Sequence, residues 1–178
     1  MRTLLLLITL IITLQPDAFA HTRSQSFSQW ETVTETDNNL KFIFSVDQRR
    51  ITQLAQIYPS MDYMTLLQLH LTETINVSQN KQRCLPERLD VERHDRNGYF
   101  RARGVFNCLE NLNVEPPLIE IRSFTTVSPS HIHLARFSIA GENQEIVLSN
   151  AQQDFNFEAR NFIDSLSAFI HLGFFHVV

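Results

Sequence analysis

Between Thr74 and Leu148 turn-forming residues divide the chain into short segments of strand-like length. Alternation with period two puts every second side chain on one face of an extended strand, so such a stretch buries one side of a sheet and wets the other. Segments of this kind occupy residues 74–78, 83–86, 89–94 and 99–108, then a strand carrying Leu118, Ile119 and Ile121, then 131–139 and 145–148. Asn97-Gly98 separates two of them with a strong local hairpin signal. Gly141-Glu142-Asn143 separates the last two.

Upstream, residues 21–46 read as extended structure. Strand formers run over 30–34, a turn over 36–39, and Leu40, Phe42, Phe44 and Val46 alternate with Lys41, Ile43 and Ser45. Asp47 then suits a helix N-cap, with Ile51, Leu54, Ala55 and Tyr58 at helical spacing until Pro59. Ser60 or Asp62 caps a second helix, whose apolar face is expected to be Met64, Leu67, Leu71 and Ile75. Gln68, His70 and Glu73 then face solvent. The expected fold is mainly β: an antiparallel β-sandwich with a small two-helix insertion at 47–73 and a C-terminal helix leading to a membrane.

The two ends bear on location. Met1-Arg2, an apolar run at 4–14, and Ala18-Phe19-Ala20 form the three regions of a secretory signal over residues 1–20, with His21 first in the mature chain after cleavage; the alternative is an uncleaved signal anchor, with which Pro16 and Asp17 are also compatible. Residues 21–153 then form one extracytoplasmic domain. Residues 154–178 read as an amphipathic helix, with Phe162, Leu166 and Phe169 on one face, that loses its polar side toward the end. That run is too short to cross a bilayer and reads as the start of a truncated membrane segment. Cys84 and Cys108 are the two cysteines of the chain. In an oxidising compartment they are expected to form a disulfide; paired metal ligation is the alternative, without a C-x-x-C spacing to support it.

The net charge of −4 offers no basic footprint for nucleic acid. Four glycines leave little for phosphate-cradling loops, and no G-x-S-x-G, H-E-x-x-H or P-loop is present, so an enzyme is not expected. Glu120 and Glu145 read as solvent-facing partners of nearby arginines. Asn76-Val77-Ser78 matches a glycosylation acceptor.

The stretch from His21 to Trp30 (His-Thr-Arg-Ser-Gln-Ser-Phe-Ser-Gln-Trp), Arg49-Arg50-Ile51-Thr52-Gln53-Leu54, the cysteine pair, Ser128-Pro-Ser-His-Ile-His-Leu-Ala-Arg-Phe137 and the strand at 145–151 together resemble the exported N-terminal region of HupE/UreJ-type membrane proteins. Leu172-Gly-Phe-Phe-His-Val-Val178 is similar to the entry into that family's first core membrane helix, where His176 matches a family histidine. The resemblance implies a hydrogenase or urease accessory protein of the bacterial inner membrane. Its missing membrane core would take up nickel or cobalt, with the present chain on the periplasmic side.

His131 and His133 lie on one face of a strand, about 7 Å apart at Cα, a separation from which two imidazoles can converge on one ion. After signal removal His21 adds an α-amino nitrogen and a third imidazole. Nickel, copper and zinc all accept imidazole, so His21, His131 and His133 do not choose among them; the resemblance points to nickel or cobalt and adds His176, and the α-amino and imidazole nitrogens of His21 suit copper. The alternative is that His131 and His133 are structural, bonded to backbone carbonyls or Ser130. The chain is then a non-metal module that binds a membrane or periplasmic protein through a sheet face or edge.

Overall fold

The computed structural model describes residues 24–32, 38–94, 98–112, 114–139 and 141–156. The segment at 1–20 expected to be a signal, His21, His176 and the chain beyond Asn156 lie outside the described residues. Ten strands and two helices follow in the order β1 (Gln25–Thr32), β2 (Asn39–Asp47), α1 (Gln48–Ala55), α2 (Tyr63–Thr74), β3 (Ile75–Gln79), β4 (Gln82–Arg83), β5 (Leu85–His94), β6 (Tyr99–Asn107), β7 (Leu118–Ile121), β8 (Ile132–Ile139), β9 (Glu142–Ser149) and β10 (Asp154–Asn156). They form a six-stranded sheet, β5-β6-β2-β1-β8-β9, and a four-stranded sheet, β10-β7-β3-β4.

The fold is thus mainly β, with two sheets and a two-helix insertion, as the alternating pattern requires. Two expectations are corrected. The six-stranded sheet is mixed, because β1 pairs parallel to β8 while its other neighbour β2 is antiparallel. Residues 154–156, expected to open a helix, instead form β10 and pair antiparallel with β7. Phe155 explains the difference: it is buried and stacks on Phe137 of the opposite sheet at 4.4 Å between ring centroids. A contact across the two sheets outweighs weak helical periodicity at three residues.

The core sits between the sheets and under the helices. On β1, β2 and β6 the inward positions place Trp30 against Phe42 (4.9 Å) and Phe106 (6.2 Å), and Phe137 of β8 closes the group at 6.1 Å from the indole. Both helices are capped by aspartates: Asp47 accepts from the Arg49 N–H, and Asp62 accepts from the N–H groups of Met64 and Thr65. The second helix is rotated from its expected face. Leu66, Leu67, His70 and Leu71 are buried, while Met64 is exposed. His70 is turned inward because its Nε2 accepts a hydrogen bond from the backbone N–H of Phe124, 3.0 Å away. Tyr58, expected on the apolar face of the first helix, lies beyond its end and is exposed.

The chain changes sheets at Cys84. Arg83 ends β4 in the small sheet and Leu85 begins β5 in the large one. Cys84 is bonded to Cys108, just past the end of β6, and its N–H donates to Val77 of β3. The bridge therefore pins the corner at which the two sheets are joined, and closing a loop of this size stabilises by about 3 kcal/mol on the chain-entropy account. At the free edge of the large sheet, β5 carries Pro86 and a register shift between Pro86 and Arg88, both of which interrupt a continuous row of edge donors and acceptors.

Gly104 on β6 has no room for a side chain: a Cβ there would sit 2.2 Å from the Phe42 ring, which Trp30 and Phe106 hold in place. Gly104→Ala is expected to destabilise the protein by roughly 1–3 kcal/mol, read as a lower urea midpoint with unchanged slope. A midpoint equal to wild type would show that the aromatic cluster can yield.

Candidate functional site

Ser24, just before β1, and Ser26, Ser28 and Trp30 on it face inward at period two, as do His131, just before the neighbouring parallel strand β8, and His133, Ala135 and Phe137 on it. The register sets Ser26 beside His133 and Trp30 beside Phe137. Small serines thus stand next to large imidazoles, and Ser28 next to the small Ala135 leaves space for Phe44 of β2. That ring stacks on His133 with centroids 5.2 Å apart and planes 8° from parallel.

The serines and histidines alternate in one continuous hydrogen-bonded row. Ser24 Oγ lies 2.5 Å from His131 Nδ1, and Ser26 Oγ lies 2.8 Å from His131 Nε2. Ser26 Oγ also lies 2.7 Å from His133 Nδ1, and Ser28 Oγ 2.7 Å from His133 Nε2. Trp30 closes the row, its Nε1–H donating to Ser28 Oγ at 2.7 Å. Indole can only donate, a hydroxyl has one proton to give, and a neutral imidazole donates from one nitrogen and accepts at the other. One direction then uses every proton of the inner groups. The Ser28 hydroxyl donates to His133 Nε2, His133 Nδ1–H donates to Ser26, the Ser26 hydroxyl donates to His131 Nε2, and His131 Nδ1–H donates to Ser24. The reverse direction leaves the buried Ser28 hydroxyl proton without an acceptor.

That row requires both imidazoles to be neutral, and their surroundings keep them so. Burial pushes His133 down to about 3, with repulsion from His131 adding to it. Burial likewise lowers His131 to about 4, helped by the positive charge of Arg50 and by His70. His70, on the far side of Phe124 from His131, is pushed down to about 4 by burial. Phe124 itself has a φ of +63°, a conformation costly for a bulky side chain. The bond from its N–H to His70 and the ring contacts to His70, His131 and Phe44 hold it there.

The structure therefore brings His131 and His133 together on one face, as their spacing suggests, and engages all four of their ring nitrogens with serine hydroxyls. Ser130, expected as a partner, instead lies 3.5 Å from the Ser128 hydroxyl. The partners are Ser24, Ser26 and Ser28, and the signal for them was present as a Ser-x-Ser-x-Ser-x-Trp period matching His-x-His. Among the described residues no group of three or more His, Cys, Asp or Glu is placed to hold a metal ion. Cys84 and Cys108 are bonded to each other. Glu120 and Glu145 pair with Arg122 and Arg136 at the surface.

Outside the row, the large sheet's outer face carries a shallow depression of about 290 Å³ lined by Phe27, Leu134 and Val147, with Arg136 and Glu145 at its margin. It adjoins β9, the second free edge of that sheet. No helix among the described residues is long and apolar enough to cross a membrane. The chain matches no protein-family model, and no curated protein is significantly similar to it.

Acid should break the row. Protonated His131 would donate from both nitrogens, so Ser26 would receive two donors and its own buried proton would lose its acceptor. The unfolded chain takes up protons near the ordinary value of 6.5, whereas the folded one resists until about 4. Stability is thus undiminished above about pH 6.5 and falls as the pH drops from there toward 4. Histidine ring NMR should show His70, His131 and His133 neutral at pH 5. Ser26→Ala orphans one nitrogen of each ladder histidine and should cost roughly 2–4 kcal/mol in urea unfolding. Ser45→Ala, on the outward side of β2, should cost within about 0.5 kcal/mol. Equal effects at the two positions would refute the ladder.

Proposed function

We propose that the chain is the extracytoplasmic module of a HupE/UreJ-like membrane protein. In this reading it acts as a protein-binding body at the membrane surface, and any uptake of nickel or cobalt belongs to the membrane helices of a longer parent. The observation that carries this reading is the engagement of the His131 and His133 nitrogens. A metal would have to displace two or more buried serine hydrogen bonds and leave those hydroxyls unsatisfied. The Cys84–Cys108 bond supports an oxidising compartment, and the signal-like start and apolar carboxyl segment support export and a tether. The resemblance rests on the order of the motifs quoted above.

The partner surface in this reading is the depression beside β9. Apolar Phe27, Leu134 and Val147 with one adjacent ion pair suit an extended segment of another protein laid along a free sheet edge. The experiment is calorimetric titration of the exported chain with nickel, cobalt and copper. Negligible heat is expected with each. Stoichiometric binding that His131→Ala or His133→Ala abolishes, in a variant still folded by circular dichroism, would replace this reading with the metal-carrying one. Binding retained in both variants but lost when His21 is blocked would favour a copper site at the mature N-terminus.

A further inference from the structure

Two clusters of large apolar side chains stand exposed. One lies at the tip between the helices and holds Ile57, Tyr58, Met61 and Met64. The other consists of Leu85 (69% exposed), Leu109 (73%), Val114 (78%) and Leu118 (37%). Strand registers place this second cluster at one end of the sandwich. Leu85 is opposite Asn107, which is itself opposite Asn39; Leu118 is opposite Ser78, which is opposite Arg83, next to the bonded Cys84. The chain also leaves the described fold here, because Asn156 is the partner of Leu118.

The exposure of this cluster is not looseness. The loop that bears Leu109 and Val114 is fastened from beneath by the buried Gln79. Its amide donates to the carbonyls of Glu115 (2.6 Å) and Glu110 (3.4 Å) and accepts from the Glu110 N–H (3.0 Å). Leu112 is fully buried in the same loop, and Cys108 anchors its start. A rigid loop that presents leucine and valine to water gives up apolar stabilisation unless something covers it. The sequence that continues from the exit is itself apolar, with Phe157, Phe162, Ile163, Leu166, Phe169 and Phe174 among the following residues.

We propose that this end of the sandwich rests on a lipid bilayer. Leu85, Leu109, Val114 and Leu118 surround the exit at Asn156 and set their apolar tips among the headgroups. The proposal rests on the reading of a tether at the carboxyl end and adds to it the orientation of the domain. The cations Lys81, Arg83 and Arg88 are outnumbered in the neighbouring sequence by Glu87, Asp90, Glu110 and Glu115, and Arg88 is ion-paired with Asp90, so no excess of positive charge calls for anionic lipid. The helical tip is held elsewhere: Tyr63 meets Phe100 edge-on, and Phe100 is at the other end of β6 from Asn107.

The test uses residues 21–178, which retain every described residue and omit the apolar run at 4–14 that would carry any chain to lipid. Val114→Cys and, separately, Met61→Cys are labelled with an environment-sensitive NBD fluorophore, the native disulfide being kept. Each is mixed with phosphatidylcholine vesicles with and without shallow nitroxide-labelled lipid. The expected result is flotation with the vesicles, a blue shift and nitroxide quenching at position 114, and neither change at position 61. Flotation with a water-like signal at 114, or with quenching at 61 instead, would overturn the orientation and leave the tether standing. Failure to float would remove the tether and the proposal with it. A blue shift at 114 before vesicles are added would assign the surface to the chain's own carboxyl segment, or to a second copy if the shift grows with protein concentration, and would equally overturn it.

Discussion

A buried polar row between two parallel strands is tolerable only when every donor meets an acceptor, and the large sheet is built around meeting that condition. Ser24, Ser26 and Ser28 on β1 and His131 and His133 on β8 satisfy one another in one unbroken series that ends on Trp30. Slipping β1 by one residue against β8 would put Gln25, Phe27 and Gln29 inward and leave both imidazoles without partners. The row thus sets the register, and the register in turn places Trp30 between Phe42, Phe106 and Phe137 at the centre of the core.

The same row decides what the histidines can do. Low dielectric around His133, with the Phe44 ring stacked on it, favours the neutral form, and the neutral form is the one that can both give and take a hydrogen bond. A site that needs free imidazole lone pairs and a site that needs them occupied compete for the same atoms. Here the structural use has them, which moves the search for function to the surface: the depression beside β9 and the apolar end around the disulfide.

Much of the architecture was legible because burial on one face forces period two. Leu40, Phe42, Phe44 and Val46 read inward and are inward, and the two segments flanking Asn97-Gly98 pair antiparallel as β5 and β6. Local pattern failed where a distant partner set the outcome. His70 reads as a solvent-facing helix residue until Phe124, 54 positions away, offers an N–H to it. Parallel pairing of β1 with β8 leaves no local mark, since no turn joins the two strands. Phe155 packs on Phe137 in the core, and Asp154–Asn156 pair with β7 rather than follow their own helical periodicity. The serine partners of the histidines were within reach of the sequence, because two period-two polar rows in strands that each bury one face have few other ways to be satisfied.

The seam between β1 and β8 also fixes an order of assembly. Its hydrogen bonds join residues 105 to 107 positions apart, whereas β5 and β6 are joined by a short hairpin and the cysteines are separated by 24. Contacts that close long stretches of chain form late, since the entropy of closure is spent before the contact is gained. The first strand to emerge therefore waits on its β8 side for one of the last. Until β8 arrives, the seryl edge of β1 stays open, and the two antiparallel parts of the large sheet stay unjoined.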